Sequence, residues 1–306
     1  MRLRATVAAV SGALALSALA LPAAHAAGQE RVPAENSASK VAHAAQHPQG
    51  RSTFAVAASG TPYKLNATFS AVKVNNGKNI AAGTTNVVKV PVSFTLTHGT
   101  EVNIHAKDFV AAVELYRGTS FDDSIFYFDS AVSTCTDTSK TVASCKTTVA
   151  IDPSELLSED AGAWKAAAYA VAFNGQNPTK PADMTKVGVA VKDPTNSFNL
   201  QRWATLNTDA APEPVKKGKT VTVTGKLARA DWEDGKYHGY ANQPVKLQFR
   251  KSGSSTYTTL KTVKTSSTGT LKTTTTATVD GYFRYAFAGT TTTPATTATG
   301  DYVDVK

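Results

Sequence analysis

Residues 88–96 read Val-Lys-Val-Pro-Val-Ser-Phe-Thr-Leu, so every second side chain from Val88 to Leu96 is apolar. A period of two is typical of a β-strand with one face buried and the other in solvent. Similar short runs, each bounded by Gly, Asp, Asn or Pro, occupy residues 102–104, 110–116, 147–151, 164–173 and 187–191. Their spacing predicts a β-sandwich over residues 62–195.

The last third of the chain carries the same pattern. Strand-like runs occupy residues 200–206, 219–227, 245–250, 257–263, 271–279, 283–287 and 302–305. About seven strands in about 107 residues are the strand count and size of an immunoglobulin-like sandwich. We therefore predict an all-β fold, with two immunoglobulin-like β-sandwich domains at 62–195 and 199–306 that follow a signal peptide and a flexible N-terminal segment.

Four stretches of the last domain resemble, in the same order, bacterial immunoglobulin-like repeats of surface and secreted proteins. They are Gly225-Lys-Leu227, the segment from Asn242 to Arg250, the segment from Asp280 to Gly289, and Asp301-Tyr-Val-Asp-Val305. The whole chain is also similar to a group of uncharacterised secreted proteins of actinomycetes of the Streptomyces type, some of them labelled calcium-binding. What the resemblance implies is a fold, because this architecture serves many unrelated functions.

Residues 1–26 have the features of a secretory signal peptide. A basic start with Arg2 and Arg4 precedes an unbroken run of Ala, Val, Leu, Gly and Ser over residues 7–21, and Ala24-His-Ala26 has the small-x-small form of a cleavage site. The run is too short for a comfortable membrane anchor. We therefore predict a secreted, extracellular protein with no transmembrane segment after cleavage. Residues 27–61 have little apolar pattern and are interpreted as a disordered tether or a propeptide.

The only two cysteines, Cys135 and Cys145, lie in one short polar segment. In an exported chain this spacing predicts a local disulfide that closes a hairpin. A structural zinc site is excluded there, because two thiols without a neighbouring histidine do not supply four ligands.

The positive charge of the mature chain is concentrated in the last domain. Residues 27–199 hold 15 basic and 15 acidic side chains, whereas residues 200–306 hold 15 basic and 8 acidic ones. Six of the basic residues, Lys216, Lys217, Lys219, Lys246, Arg250 and Lys251, could attract an anionic wall polymer or extracellular nucleic acid. Outward cations on strands also protect sheet edges from association, and this interpretation is favoured. The expected partner is a cell-wall polymer or an extracellular glycan, with no specific nucleic acid.

The sequence contains no linear signature of catalysis. It has no Gly-x-Ser-x-Gly, no His-Glu-x-x-His and no glycine-rich phosphate loop. We therefore predict that the protein is not an enzyme. A site assembled from distant residues is a further hypothesis, and the Cys135–Cys145 hairpin is then the candidate inhibitory loop.

No cofactor is expected, with calcium as the one alternative, because exported immunoglobulin-like domains often bind it through loop carboxylates. The candidate ligands are Asp122, Asp123, Glu233 and Asp234, with Asp129 near the first pair. None of them has the alternating Asp-x-Asp-x-Asp-Gly spacing of a calcium loop. Paired aspartates are also ordinary turn residues, so a structural role is the competing interpretation.

Residues 230–240, Ala-Asp-Trp-Glu-Asp-Gly-Lys-Tyr-His-Gly-Tyr, are predicted to form a long connection between strands. Its rings, Trp232, Tyr237 and Tyr240, could stack on sugars while neighbouring polar groups bond hydroxyls. Alternatively, Trp232 caps a core. The predicted function is a non-catalytic cell-envelope or extracellular binding or structural module; a calcium-binding protein and a carbohydrate-binding or inhibitor module are the alternatives.

Overall fold

Residues 88–96 lie in the strand Val88–His98, and its alternate side chains from Val90 to Leu96 are buried, as the sequence period predicts. The computed structural model describes residues 33–46 and 59–306. The predicted signal peptide therefore lies outside the described residues, as do residues 27–32 and 47–58 of the predicted tether.

One α-helix and ten strands form the first half of the described chain. Helix α1 is Pro33–Gln46. Strands β1 to β10 are Tyr63–Lys64, Ala67–Val74, Ile80–Ala82, Val88–His98, Phe109–Gly118, Ser124–Asp129, Thr134–Ser139, Val142–Ile151, Gly162–Ala172 and Gly188–Arg202. Short 3-10 turns are Asn75–Gly77, Pro153–Glu155, Ser158–Asp160 and Met184–Lys186.

The second half consists of ten more strands. Strands β11 to β20 are Ala204–Leu206, Asp209–Ala211, Thr220–Asp231, Lys236–Gly239, Pro244–Lys251, Thr258–Lys264, Thr270–Thr276, Gly281–Phe287, Thr296–Thr297 and Asp301–Val303. No helix within residues 33–46 and 59–306 is both long and apolar enough to cross a membrane.

The first sandwich has the strand arrangement of an immunoglobulin domain. One sheet has the order β2-β4-β8-β7, and the facing sheet has the order β10-β9-β5-β6, with β1 and β3 added in parallel along β10. When the strands are lettered by their order along the chain, the sheet β2-β4-β8-β7 consists of strands A, B, E and D. The sheet β10-β9-β5-β6 then consists of strands G, F, C and C′.

The second sandwich follows the same plan with a shorter first sheet. Strand β13 pairs with β12 and β17 along its first half, and with β11 and β14 along its second half. The facing sheet places β16, β15, β18 and β20 side by side, which corresponds to C′, C, F and G. The predicted all-β class with two immunoglobulin-like sandwiches is confirmed by this topology.

The described part of the predicted tether is helical rather than disordered. In α1, the side chains of Ala38, Val41 and Ala42 are fully buried against the outer face of the β10-β9-β5-β6 sheet. The prediction of disorder is therefore wrong between residues 33 and 46, and the propeptide interpretation stays a prediction. The sheet face beneath it is apolar, and burying that face requires a covering element.

The boundary predicted between residues 195 and 199 falls inside β10. Strand β10 pairs with β9 on both sides of a register shift between Lys192 and Asn196, so one strand continues to Arg202. Pro194 lies in this bulge, where a proline is tolerated within a sheet. The strand predicted at residues 102–104 is also absent. The Val102 N–H donates to the Gly99 carbonyl and the Ala106 N–H donates to the Asn103 carbonyl, so these residues form two successive turns.

Candidate functional site

The predicted connection at residues 230–240 is a β-hairpin made by the end of β13 and by β14. Trp232, at its turn, is 4% exposed and packs in the core of the first sandwich, where its indole N–H donates to the Gly83 carbonyl at 2.8 Å. Tyr237 is 40% exposed. Tyr240 is half-buried beneath the Arg229 guanidinium, which lies 4.0 Å from its ring centroid. The three rings therefore do not form one exposed platform.

The predicted calcium ligands lie in separate places. The Asp123 carboxylate accepts a hydrogen bond from Thr119 at 2.7 Å. Glu233 accepts from the backbone N–H of Ser158 at 2.8 Å and from the Ser158 hydroxyl, and so links the hairpin to the first sandwich. Asp129 is 7% exposed in a buried cluster. The structure does not bring Asp122 and Asp123 together with Glu233 and Asp234 as one ligand set within the described residues.

Asp234 instead belongs to a smaller group with Asp231 and His238. One ligand atom from each of these residues lies within 4.8 Å of the others. His238 Nε2 is 2.7 Å from the Asp234 carboxylate, and the Asp231 carboxylate is 3.4 Å from the guanidinium of Arg202. The histidine and Arg202 make the group chemically unlike an all-oxygen calcium loop. Calcium binding stays a prediction.

The predicted disulfide is confirmed. Cys135 and Cys145 are directly paired residues of β7 and β8, and they form one bridge. The Cys145 side chain is fully buried in the first core, whereas β7 is an exposed edge strand. The bridge thus fastens an edge strand to its neighbour and does not cross the core between the two sheets.

A continuous ladder of tyrosine and arginine side chains lies on the outer face of the second sandwich. Its members are Arg284, Tyr257, Arg250, Tyr282 and Tyr302, and we call this set the tyrosine–arginine ladder. The Arg284 guanidinium lies 3.6 Å from the centroid of the Tyr257 ring, and the Arg250 guanidinium lies 5.3 Å from Tyr257 and 4.0 Å from Tyr282. Tyr282 and Tyr302 have centroids 5.1 Å apart.

Strand register produces this ladder. Arg250 of β15 is paired directly with Tyr282 of β18, and Tyr282 is paired with Tyr302 of β20. Directly opposed side chains on one face of antiparallel strands are close enough to interact. The sequence alternation places Arg250, Tyr282, Arg284 and Tyr302 on an outward face, but it does not reveal which strands are neighbours. The ladder could therefore not be assembled from the sequence.

The ladder offers two kinds of contact to a ligand. Tyr302 is 37% exposed, and the other four members are half-buried, so ring faces and edges reach the surface. A guanidinium has five N–H donors, and its fork fits carboxylate or phosphate oxygens. One donor of Arg250 bonds the Ser254 carbonyl at 2.5 Å, and one donor of Arg284 bonds the Gln248 side chain at 2.9 Å. These bonds hold the guanidinium planes in place.

The two ends of the ladder differ in charge. Lys246 is exposed on β15, the strand that carries Arg250, and it adds a third cation to that strand pair. At the other end, burial together with Asp280 and Asp304 raises the pKa of Tyr302. The surface therefore combines aromatic area with a cationic end.

Comparisons with known proteins yield a fold resemblance only. No family model matches the chain, and no curated protein matches its sequence. Among solved structures, the Escherichia coli adhesin FdeC is 12% identical over 82% of this chain and 67% of that chain, with a TM-score of 0.30. The D0–D1 domain of intimin is 16% identical over 77% of this chain and 98% of that chain, with a TM-score of 0.24.

The full ectodomain of mouse nectin-like molecule 4 is 16% identical over 79% of this chain and 65% of that chain, with a TM-score of 0.21. TM-scores this low carry no argument about function. The fold assignment rests on the sheet topology, and the roles of residues rest on their own geometry. The resemblance to secreted actinomycete proteins has no support from a matching relative.

Proposed function

We propose that the protein is an exported, non-catalytic binding module of the cell envelope, and that the tyrosine–arginine ladder is its binding surface. The observation that carries the proposal is the alternation of guanidinium planes and tyrosine rings over one sheet face. The disulfide between Cys135 and Cys145 supports an oxidising compartment.

The ligand class that fits this surface is an anionic extracellular glycan or wall polymer. Rings pack against the apolar faces of sugars, while arginines bond acidic groups along the polymer. The surplus of basic over acidic residues from residue 200 on, 15 against 8, favours such a ligand over a cationic one. The rigid sheet holds the ladder in one arrangement, which lowers the entropy lost on binding.

The test is a binding assay of the purified protein with a purified anionic wall polymer, beside neutral chitin, cellulose and starch. We expect retention by the anionic polymer that weakens as salt is added. The double variant Arg250→Ala/Arg284→Ala should bind roughly ten- to a hundredfold more weakly, because it removes two surface contacts that contribute roughly 1 kcal/mol each.

The matched control removes the same charge from the other sheet of the same domain. Lys226 and Lys272 are exposed on β13 and β17, so Lys226→Ala/Lys272→Ala should leave binding near the wild-type value. An equal loss of polymer affinity in the two double variants would mean that binding depends on the net charge of the domain and not on the ladder. No retention on any of the polymers would reject the ladder as a glycan-binding surface.

A further inference from the structure

Helix α1 covers a sheet face that holds two buried carboxyl groups. Glu114 of β5 is fully buried, and Asp129 of β6 is 7% exposed. The helix supplies two polar side chains above them. The Ser39 hydroxyl donates to Glu114 Oε2 at 3.2 Å, and His43 Nε2 lies 2.9 Å from the same oxygen.

The polar cluster is incompletely satisfied by the protein. Within the described residues, Glu114 Oε1 has no hydrogen-bond partner. The Asp129 carboxylate accepts a hydrogen bond from the Tyr169 hydroxyl at 3.3 Å, which is long for an O–H donor. A buried polar atom without a partner costs free energy, so the cluster opposes the burial that α1 imposes.

The apolar contacts that hold α1 in place are small. Between residues 37 and 46, the buried residues of the helix are Ala38, Val41 and Ala42 with Ser37 and Ser39, and short side chains bury little apolar area. The His43 ring stacks on Phe121 with centroids 3.8 Å apart. Beyond this ring, a cavity of about 550 Å³ separates the end of the helix at Gln46 from β1, β2 and β10. The helix therefore covers the sheet without filling the space beside it.

We propose that α1 is a pH-sensitive latch, which closes over the β9-β5-β6 face at mildly acidic pH and leaves it as the pH rises. The two buried carboxyl groups and the single histidine above them are the elements of the latch. It lies in the first sandwich, whereas the tyrosine–arginine ladder lies in the second, so the two proposals are tested separately.

The pair of His43 and Glu114 takes up a proton when the latch closes at neutral pH. Burial raises the pKa of Glu114 well above its ordinary value of 4.5 and lowers the pKa of His43 from its ordinary 6.5. Closure therefore favours the protonated form of the Glu114 carboxyl and the neutral form of the His43 imidazole. An open pair holds none above pH 6.5 and two below pH 4.5. Closing thus takes up a proton above pH 6.5 and releases one below pH 4.5.

Asp129 also weakens closure of the latch as the pH rises, over a lower pH range. Burial is the main cause that raises the pKa of Asp129 from 3.8 to about 7. A carboxyl with a raised pKa stabilises the closed state below its ordinary pKa, and this contribution is lost as the pH rises through the raised value. Asp129 therefore weakens closure as the pH rises from 3.8 to about 7, and the pair of Glu114 and His43 weakens closure as the pH rises above 6.5.

The remaining titratable groups around the cluster do not reverse this direction. Tyr116 and Tyr169 stay neutral, because burial raises the pKa of each phenol. Asp193 of β10 accepts from the Tyr116 hydroxyl at 2.6 Å and from the Phe121 backbone N–H at 2.8 Å. Burial lowers the pKa of His43 by more than Asp129, Asp122 and Asp193 together raise it.

Hydrogen exchange of the purified protein tests the latch directly. The amide protection of residues 38–45 is compared with that of β9 at pH 5.5, 7.0 and 8.5, with labelling times scaled to the intrinsic exchange rate. We expect the protection of α1 to fall by up to about tenfold per pH unit for each proton taken up, while β9 changes little. Protection of α1 that stays constant relative to β9 would overturn the proposal.

Neutral variants identify the groups responsible. Glu114→Gln and Asp129→Asn mimic the protonated acids, so each should flatten the pH dependence of α1 protection. Glu101→Gln is the control, because Glu101 is an exposed carboxylate that accepts from Asn66 at 2.8 Å, away from the helix. An unchanged pH dependence in both neutral variants would also reject the proposal. If a variant unfolds, the wild-type titration alone decides.

Discussion

Trp232 directly follows β13 of the second sandwich, but its ring is buried in the core of the first sandwich. The neighbouring Ala230 belongs to the same core, and the Ala230 carbonyl accepts from the Arg202 side chain. Glu233 adds its bonds to Ser158. These contacts make the hairpin the joint between the two sandwiches rather than a free loop tip.

Replacing this one ring should therefore weaken the whole joint. We expect Trp232→Ala to lower the free energy of unfolding by about 3 to 5 kcal/mol, because a large buried side chain is removed and the Gly83 carbonyl loses its donor. We also expect thermal melting to separate into two transitions as the sandwiches lose their coupling. Calorimetry measures both effects.

Tyr237→Ala is the matched control, since Tyr237 lies in the same hairpin and is 40% exposed. This substitution should cost at most about 1 kcal/mol and keep one transition. A Trp232→Ala protein that melts as stably and as cooperatively as the wild type would contradict the assignment of the joint.

At the scale of single residues, a sequence pattern predicts which face of a sheet a side chain lies on, but it does not predict which residues of other strands or domains that side chain contacts. Alternation correctly places Arg250 and Tyr282 outward and Leu247 inward. It could not predict that Trp232 packs in another domain, because that contact depends on how two sandwiches meet. The same limit applies to the buried pair of Glu114 and His43, which are 71 residues apart in sequence.

At the scale of elements, the sequences of the strands beneath α1 indicate that a further element must cover them. Eight consecutive residues of β5, Phe109–Tyr116, are buried, and β9 is buried on both faces over most of its length. A strand that is apolar on both faces must be covered on both. The alternating β4, by contrast, is covered on one face. The continuous runs at 110–116 and 164–173 could thus have predicted a third layer, although not which segment supplies it.

The disulfide hairpin is predicted to add local stability only. Cys135→Ala/Cys145→Ala should lower the free energy of unfolding by about 2 to 3 kcal/mol, because the bridge closes a loop with a sequence separation of 10. Denaturant unfolding measures the change. Reduction of the wild-type protein should give a comparable shift, and loss of all folded protein would contradict a purely local role.

At the scale of the whole molecule, strand count and spacing predicted the fold class, because two sandwiches of this kind need the same short alternating strands. The domain boundary was harder, since Pro194 interrupts a strand without ending it. Proline within a bulge keeps the remaining ladder intact, so a break in the pattern does not always mark the end of a domain.

Calcium can be tested on the whole molecule as well. If the group of Asp231, Asp234 and His238 holds a divalent cation, millimolar calcium or micromolar zinc should raise the melting temperature relative to excess chelator. A cation present at about a hundred times its dissociation constant stabilises by about 2.7 kcal/mol. Asp234→Asn should abolish the shift, and superimposable melting curves would reject the site.

In the second sandwich, the segment that begins at Val215, after β12, runs parallel to the segment at Asp304–Lys306, and this arrangement affects how the two segments would resist tension. The Val215 N–H donates to the Asp304 carbonyl at 2.9 Å, the Lys306 N–H donates to Val215 at 2.9 Å, and the Lys217 N–H donates to Lys306 at 2.7 Å. Tension between these segments pulls them along their length in opposite directions. Several hydrogen bonds then share the force in shear, whereas a hairpin pulled at its open end would lose its bonds one at a time.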